Sequence, residues 1–192
     1  MLPDTHGQLY SLFASLLEHP TSSLCIQVEQ AASLLCDRFP QREGWLTVFY
    51  DYVNSHSLAA VEELYTHTFD LQGVSCPYVG HQLFGESFKR SRFMACLNHE
   101  YHTRQFSSGT ELPDHVTVIL HFLALGTGDE FSQTLVVEGL IPALTRMTGE
   151  LAAHEENPYS DVLQVVLDVL SHAFDTPSQS VVGSETGDVA HA

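Results

Sequence analysis

Apolar residues recur at helical spacing along most of the chain. Leu9, Leu12, Phe13 and Leu16 lie three and four residues apart, the stripe with which a helix covers a core on one side, and they predict a helix over 8–17 that Pro20 stops. Leu24, Val28, Ala31, Leu35 and Cys36 share one face of a second predicted helix, over 22–38. Pro40 ends it, because proline lacks an N–H and its ring collides with the preceding turn. The same period continues over 43–53 and over 58–69, the latter with Val61, Leu64, Tyr65 and Phe69 on one side. None of these stretches reads as a strand.

The period breaks over 70–85, where Gly73, Cys76-Pro77-Tyr78, Gly80 and Gly85 punctuate the chain. One regular helix is ruled out there, and a long central loop is predicted; loops of that length in compact domains carry function or are disordered. A helix over 86–105 follows. Lys89, Arg92, Cys96 and His99 fall on one of its faces, and Phe93, Leu97 and Tyr101 on another. The block Glu111-Leu112-Pro113-Asp114-His115 then leads into the nearly unbroken apolar run 116–125. A proline suited to a first helical turn and an acid placed at the helix's positive end predict a buried helix starting at Pro113. The segment 131–151 is helical in period but must bend or restart near Pro142, and a last helix over 159–174 carries Val162, Val165, Val166, Val169 and Leu170. Beyond Asp175 the residues are those of a disordered acidic tail, 176–192. The expected fold is all-α: one domain over 1–175, a bundle of about eight helices with a long central loop.

Composition narrows the partners. A chain of 192 residues that is 44% hydrophobic can bury a sizeable core without staples. Its 24 acids against 7 bases give a formal charge of -17, which repels phosphate backbones and anionic membrane surfaces and so argues against nucleic acid and for a basic peptide. Within this acidic chain Lys89, Arg90, Arg92 and Arg104 cluster on the single predicted helix 86–105. Cys25, Cys36, Cys76 and Cys96 form no CxxC pair and read as free thiols of a reducing compartment. The first residues carry no positive stretch, and the run 116–125 is short and interrupted by His121. The expectation is a cytoplasmic protein with no stable membrane insertion.

Candidate chemistry is sparse. Cys96, His99 and His102 are the densest set of metal-ligand types, but Cys96 and His102 end up roughly 120° apart around a helix. Lys89 and Arg92 on the face of Cys96 and His99 also oppose a cation there. No metal site is therefore expected, and a metal- or haem-binding helical protein is the alternative reading. Asp114 and His115 look like an acid/base pair until placed on a helical wheel. Asp114 aligns with Thr117 and His121, and His115 with Val118, Ile119 and Phe122. Read blandly, Asp114 is an acid satisfying free N–H groups of a first turn, and His115 a core histidine with one hydrogen bond. No phosphate loop, GxSxG or HExxH occurs, so no catalytic residues, no enzyme and no cofactor of its own are expected.

The run Glu62 to Asp70, then Gly85-Glu86-Ser87 with Arg90, then Glu111-Leu112-Pro113-Asp114-His115 ahead of an apolar helix resembles the nitrate reductase delta-subunit (NarJ-like) branch of the TorD/DmsD redox-enzyme maturation chaperones. Ile141-Pro142-Ala143-Leu144 and Asn157-Pro158-Tyr159 are similar too. The resemblance implies an all-helical, non-catalytic protein. It would bind the N-terminal leader of a molybdenum oxidoreductase's catalytic subunit and assist molybdopterin insertion and assembly. By position it implies that Asp114 and His115 help form the peptide-binding region, with Tyr65, Phe69, Pro77 and Tyr78 on the loop side, in a groove between the loop 70–85 and the helix from Pro113. A homodimer and a permanent place in the mature oxidoreductase both stay open. Ser75-Cys76-Pro77-Tyr78 is closer to the Ser-Pro-Tyr of the wider TorD group than to the apolar run of nitrate reductase chaperones, which implies a client related to nitrate reductase, such as a chlorate, selenate, dimethylsulfide or hydrocarbon-oxidising enzyme.

Overall fold

The computed structural model describes residues 5–40, 44–70, 73–153 and 157–174; the tail expected over 176–192 lies outside them. Among the described residues every regular element is helical, as the apolar period requires. The first half holds α1 (Thr5–Leu16), α2 (Leu24–Arg38), α3 (Thr47–Ser55), α4 (Leu58–Phe69) and α5 (Val79–Phe84). The second holds α6 (Phe88–Thr103), α7 (Val116–Leu123), α8 (Glu130–Thr134), a π-helical turn (Leu135–Leu140), α9 (Ile141–Ala152) and α10 (Tyr159–Phe174).

The predicted stripes form one core. Leu9, Phe13 and Leu16 of α1, Ile119, Phe122 and Leu123 of α7, and Val162, Val166 and Val169 of α10 are all buried. Each large apolar side chain removed from water in this way contributes ~1.5–3 kcal/mol. α1 packs between α2 and α7, and α10 against α9 and α3. α4 begins where Ser57 Oγ accepts the Ala60 N–H at 3.3 Å, satisfying a donor that the helix itself leaves free.

One segment carries more helix than expected. The central stretch 70–85 contains α5, one and a half turns that Pro77, Gly80 and Gly85 concealed. Gly80 is required for packing: a Cβ there would lie 2.6 Å from Asp114 Oδ2, so only glycine lets α5 come this close. Gly85, at φ +61°, ends the helix in the left-handed region that glycine tolerates best. The segment 131–151 divides at its proline as expected. Pro142 has no N–H for the carbonyl four residues back and would press its ring against it. The turn before it widens, so that Ile141 N–H bonds Val136 O instead.

Candidate functional site

The site is built where the central stretch meets the entry to α7. Val116 N–H donates to Pro77 O at 2.9 Å and Val79 N–H to Asp114 O at 2.7 Å, so Tyr78 and His115 form an isolated antiparallel bridge. The Tyr78 ring meets His115 edge-on at 5.1 Å. The expected groove between the loop 70–85 and α7 is therefore closed: backbone pairing and the two rings fill it.

Asp114 lies behind this bridge. It is fully buried, and its Oδ2 accepts from Arg90 Nε at 2.8 Å while Oδ1 lies 3.4 Å from Nη2. Arg90 also pairs with the exposed Glu86, and its guanidinium stands over the Tyr78 ring at 5.3 Å. The hydrogen bond to Asp114 raises the Arg90 pKa, with burial pulling the other way. The carboxylate thus answers a buried cation instead of the helix N–H groups. Of those groups, the Thr117 N–H is served by His115 and the Val116 N–H by Pro77 O, and α7 starts at Val116 and not at Pro113. Pro113 belongs to the preceding turn, where its carbonyl accepts the Tyr101 hydroxyl at 2.8 Å.

His115 is the N-cap. Its Nδ1 lies 3.3 Å from Thr117 N and 2.7 Å from Thr117 Oγ1. With Nδ1 accepting, the ring proton sits on Nε2. Burial lowers the His115 pKa, while Glu111, Asp114 and Glu18 act in the opposite direction. The ring is neutral at pH 7.

On the far side of His115 from Asp114 lies a cavity of about 640 Å³. Ser11 of α1 and, just past its end, Glu18 and His19 wall it, with Tyr65 of α4 beside them. Phe106 to Ser108 and Glu111 contribute from the connection after α6, and His115, Thr117, Val118, His121, Ala124 and Leu125 from α7 and its exit. Glu111 accepts the Tyr78 hydroxyl at 3.0 Å, and Glu18 meets His121 Nε2 at 2.8 Å. Tyr65 donates to Leu17 O at 3.4 Å and meets the His19 ring at 5.3 Å. Burial, first among several causes, pushes the Tyr65 and Tyr78 hydroxyls up to about 12. Both therefore stay protonated as hydrogen-bond donors. Two carboxylates, two aromatic side chains and an apolar floor can receive a ligand that is cationic at one point and apolar beside it.

The six sequence-derived residues divide accordingly. Tyr65 and His115 line the cavity. Tyr78 acts one step back, through Glu111 and the edge of His115. Phe69 is buried against Tyr159 at 5.0 Å and Tyr65 at 5.4 Å and supports the Tyr65 ring from the core. Pro77 contributes its carbonyl, and Asp114 its ion pair. Glu18, His19, Phe106 and His121 were not anticipated. His121 could have been, as the one ionisable residue breaking the apolar run of α7; Glu18 and His19 follow the end of a helix and carry no periodic signal.

On α6 the buried side is Arg90, Leu97 and Tyr101, and Lys89, Arg92, Cys96, His99 and His102 are exposed. Among the described residues no group of three or more His, Cys, Asp or Glu side chains is placed to hold a metal ion. No helix of the described residues is long and apolar enough to cross a membrane.

Comparison with known proteins bears on the same region. The sequence profile of the nitrate reductase delta subunit family matches residues 27–140, a span that includes all six of these residues. Among solved structures, a crystal structure from Archaeoglobus fulgidus, of a protein assigned to redox enzyme maturation, superposes with a TM-score of 0.60 at 14% identity. The match covers 89% of this chain and 96% of that one, and at such identity it speaks for the fold alone. No curated protein matches the sequence.

Proposed function

This chain belongs to the nitrate reductase delta subunit family, and from that membership we propose that it is a non-catalytic, cytoplasmic maturation chaperone of a molybdenum oxidoreductase. It binds the N-terminal leader of the catalytic subunit and holds that subunit while the molybdopterin cofactor is inserted and the enzyme assembled. The observation that carries this reading is the cavity beside His115, which joins Glu18 and Glu111 to Tyr65, Phe106, Val118 and Leu125. A leader that is basic at one end and apolar along the rest is its chemical complement.

In this reading Tyr65 and His115 contact the leader. Tyr78 sets Glu111 through its hydroxyl, and Phe69, Pro77 and Asp114 fix the wall from behind. The recognition is electrostatic at one point and apolar around it, so added salt weakens it without abolishing it.

The test is co-production of the chain with molybdenum-oxidoreductase catalytic subunits of its source organism, each with and without its leader. The reading expects one subunit to co-purify in a leader-dependent manner and to be under-loaded with cofactor when the chaperone is absent. Co-purification that ignores the leader, or full cofactor loading without the chain, would overturn it.

A further inference from the structure

A second cavity, of about 690 Å³, opens beside the first. Gly7, Leu12 and Ser15 of α1 face Ser33 and Leu34 of α2 across it. Ser11 and Ala124 line both cavities, so a hydroxymethyl and a methyl group are the divide between them. Gly7 lies so close to α7's exit that a Cβ on it would come within 2.5 Å of Ala124 O. The Ser15 hydroxyl is turned back onto Ser11 O at 3.2 Å and does not project across the trough. The two halves differ in charge. The first is walled by Glu18 and Glu111, whereas among the described residues no charged side chain lines the second.

Resting on the leader-binding reading, we propose that the leader lies as one continuous segment across Ser11, with a cationic residue between Glu18 and Glu111 and an uncharged apolar stretch in the trough between α1 and α2. The order follows from solvation. A cation placed against Leu12, Ser33 and Leu34 would lose water without gaining a counter-charge, and an apolar residue between two carboxylates would take water from them without replacing it. The partner is thus a peptide whose charge is confined to one end of the bound segment.

The test fills the uncharged half without touching the core. Ser33 and Gln30 are both exposed on α2 at the edge of this trough, and the variants are Ser33→Trp and Gln30→Trp. The probes are the leader peptide of the catalytic subunit recovered by co-purification and a shortened form that keeps only its basic residues. Either tryptophan is expected to weaken the full leader roughly tenfold, a difference of about 1.4 kcal/mol. The salt dependence should be retained, and the shortened form should bind both variants as it binds the unaltered protein. If the full leader binds the unaltered protein and both variants equally well, the trough is not occupied and the inference falls while leader binding stands. If the full leader does not bind the unaltered protein, the functional reading itself falls and takes this inference with it.

Discussion

Arg90 and Asp114 form an ion pair that the fold buries between α5, α6 and the entry to α7, with Arg90 Nε 2.8 Å from Asp114 Oδ2. Both residues belong to the motifs that resemble the maturation chaperones, yet neither lines the cavity. Their work is positional: the pair holds the turn that carries Glu111 and His115, and Gly80 makes room for it.

Asp114→Asn should lower stability, but by less than the ~3–5 kcal/mol of a fully stranded buried charge, because Arg90 keeps its pair with the exposed Glu86. Urea unfolding measures it. The paired replacement Arg90→Leu with Asp114→Leu should cost less than the two single changes added together, since it strands no charge.

His115 combines two functions that substitution can separate. Asparagine is a good N-cap and should keep the ~1 kcal/mol that the cap supplies, while losing the ring that lines the cavity. His115→Asn is therefore expected to melt close to the unaltered protein and to bind the leader more weakly. His115→Phe should lose both stability and affinity, the first because the Thr117 N–H is left without its acceptor. Thermal melts alongside peptide titrations distinguish these outcomes.

Burial sets the direction of the His115 titration. Its folded pKa lies below the ordinary value, so an unfolded chain, with a histidine pKa near 6.5, takes the proton first. The contribution of neutral His115 to stability is complete above about pH 6.5 and is lost as pH falls toward the folded value. Unfolding free energy measured from pH 7.5 to 5 should decline more steeply in the unaltered protein than in His115→Asn. Equal slopes would place the sensitivity elsewhere.

Arg104 and Asp129 lock a different corner. Arg104 Nη2 lies 2.7 Å from Asp129 Oδ1, and its guanidinium stands over the Phe122 ring at 4.7 Å, joining α6, α7 and the start of α8. The hydrogen bond from Arg104, aided by Ser132, holds the Asp129 carboxyl well below the usual carboxylate range. Its contribution is present above about pH 4, the unfolded value, and fades as pH falls below it. The stability gap between the unaltered protein and Asp129→Asn should therefore be constant from pH 7 to about 5 and shrink below 4. Acid titration of the two proteins by circular dichroism checks this.

Much of the fold was legible because burial writes a period into the sequence. α4 and α10 fall on their predicted spans, and Pro142 marks the restart that the π-helical turn accommodates. α5 was hidden because Gly80 and Gly85 read as breaks, although one allows a close approach and the other ends the helix. The site was legible only in part. Tyr65 and His115 were reached through motif resemblance, but the partner of Asp114 depends on the packing of residues 24 apart in the chain, and no helical wheel carries that. Glu18 meets His121 across 103 residues, and nothing local to either announces the contact.

The proposed role of the cavity beside His115 is to receive a leader peptide. Isothermal titration of the leader into the unaltered protein and into Glu111→Gln tests it most directly. The first should bind with a dissociation constant of ~1 μM or tighter, weakening as salt is added, and the second about tenfold more weakly with a flatter salt dependence, as follows when one charge-assisted contact is lost. No heat from any leader with the unaltered protein, or the same affinity and salt response in Glu111→Gln, would contradict it.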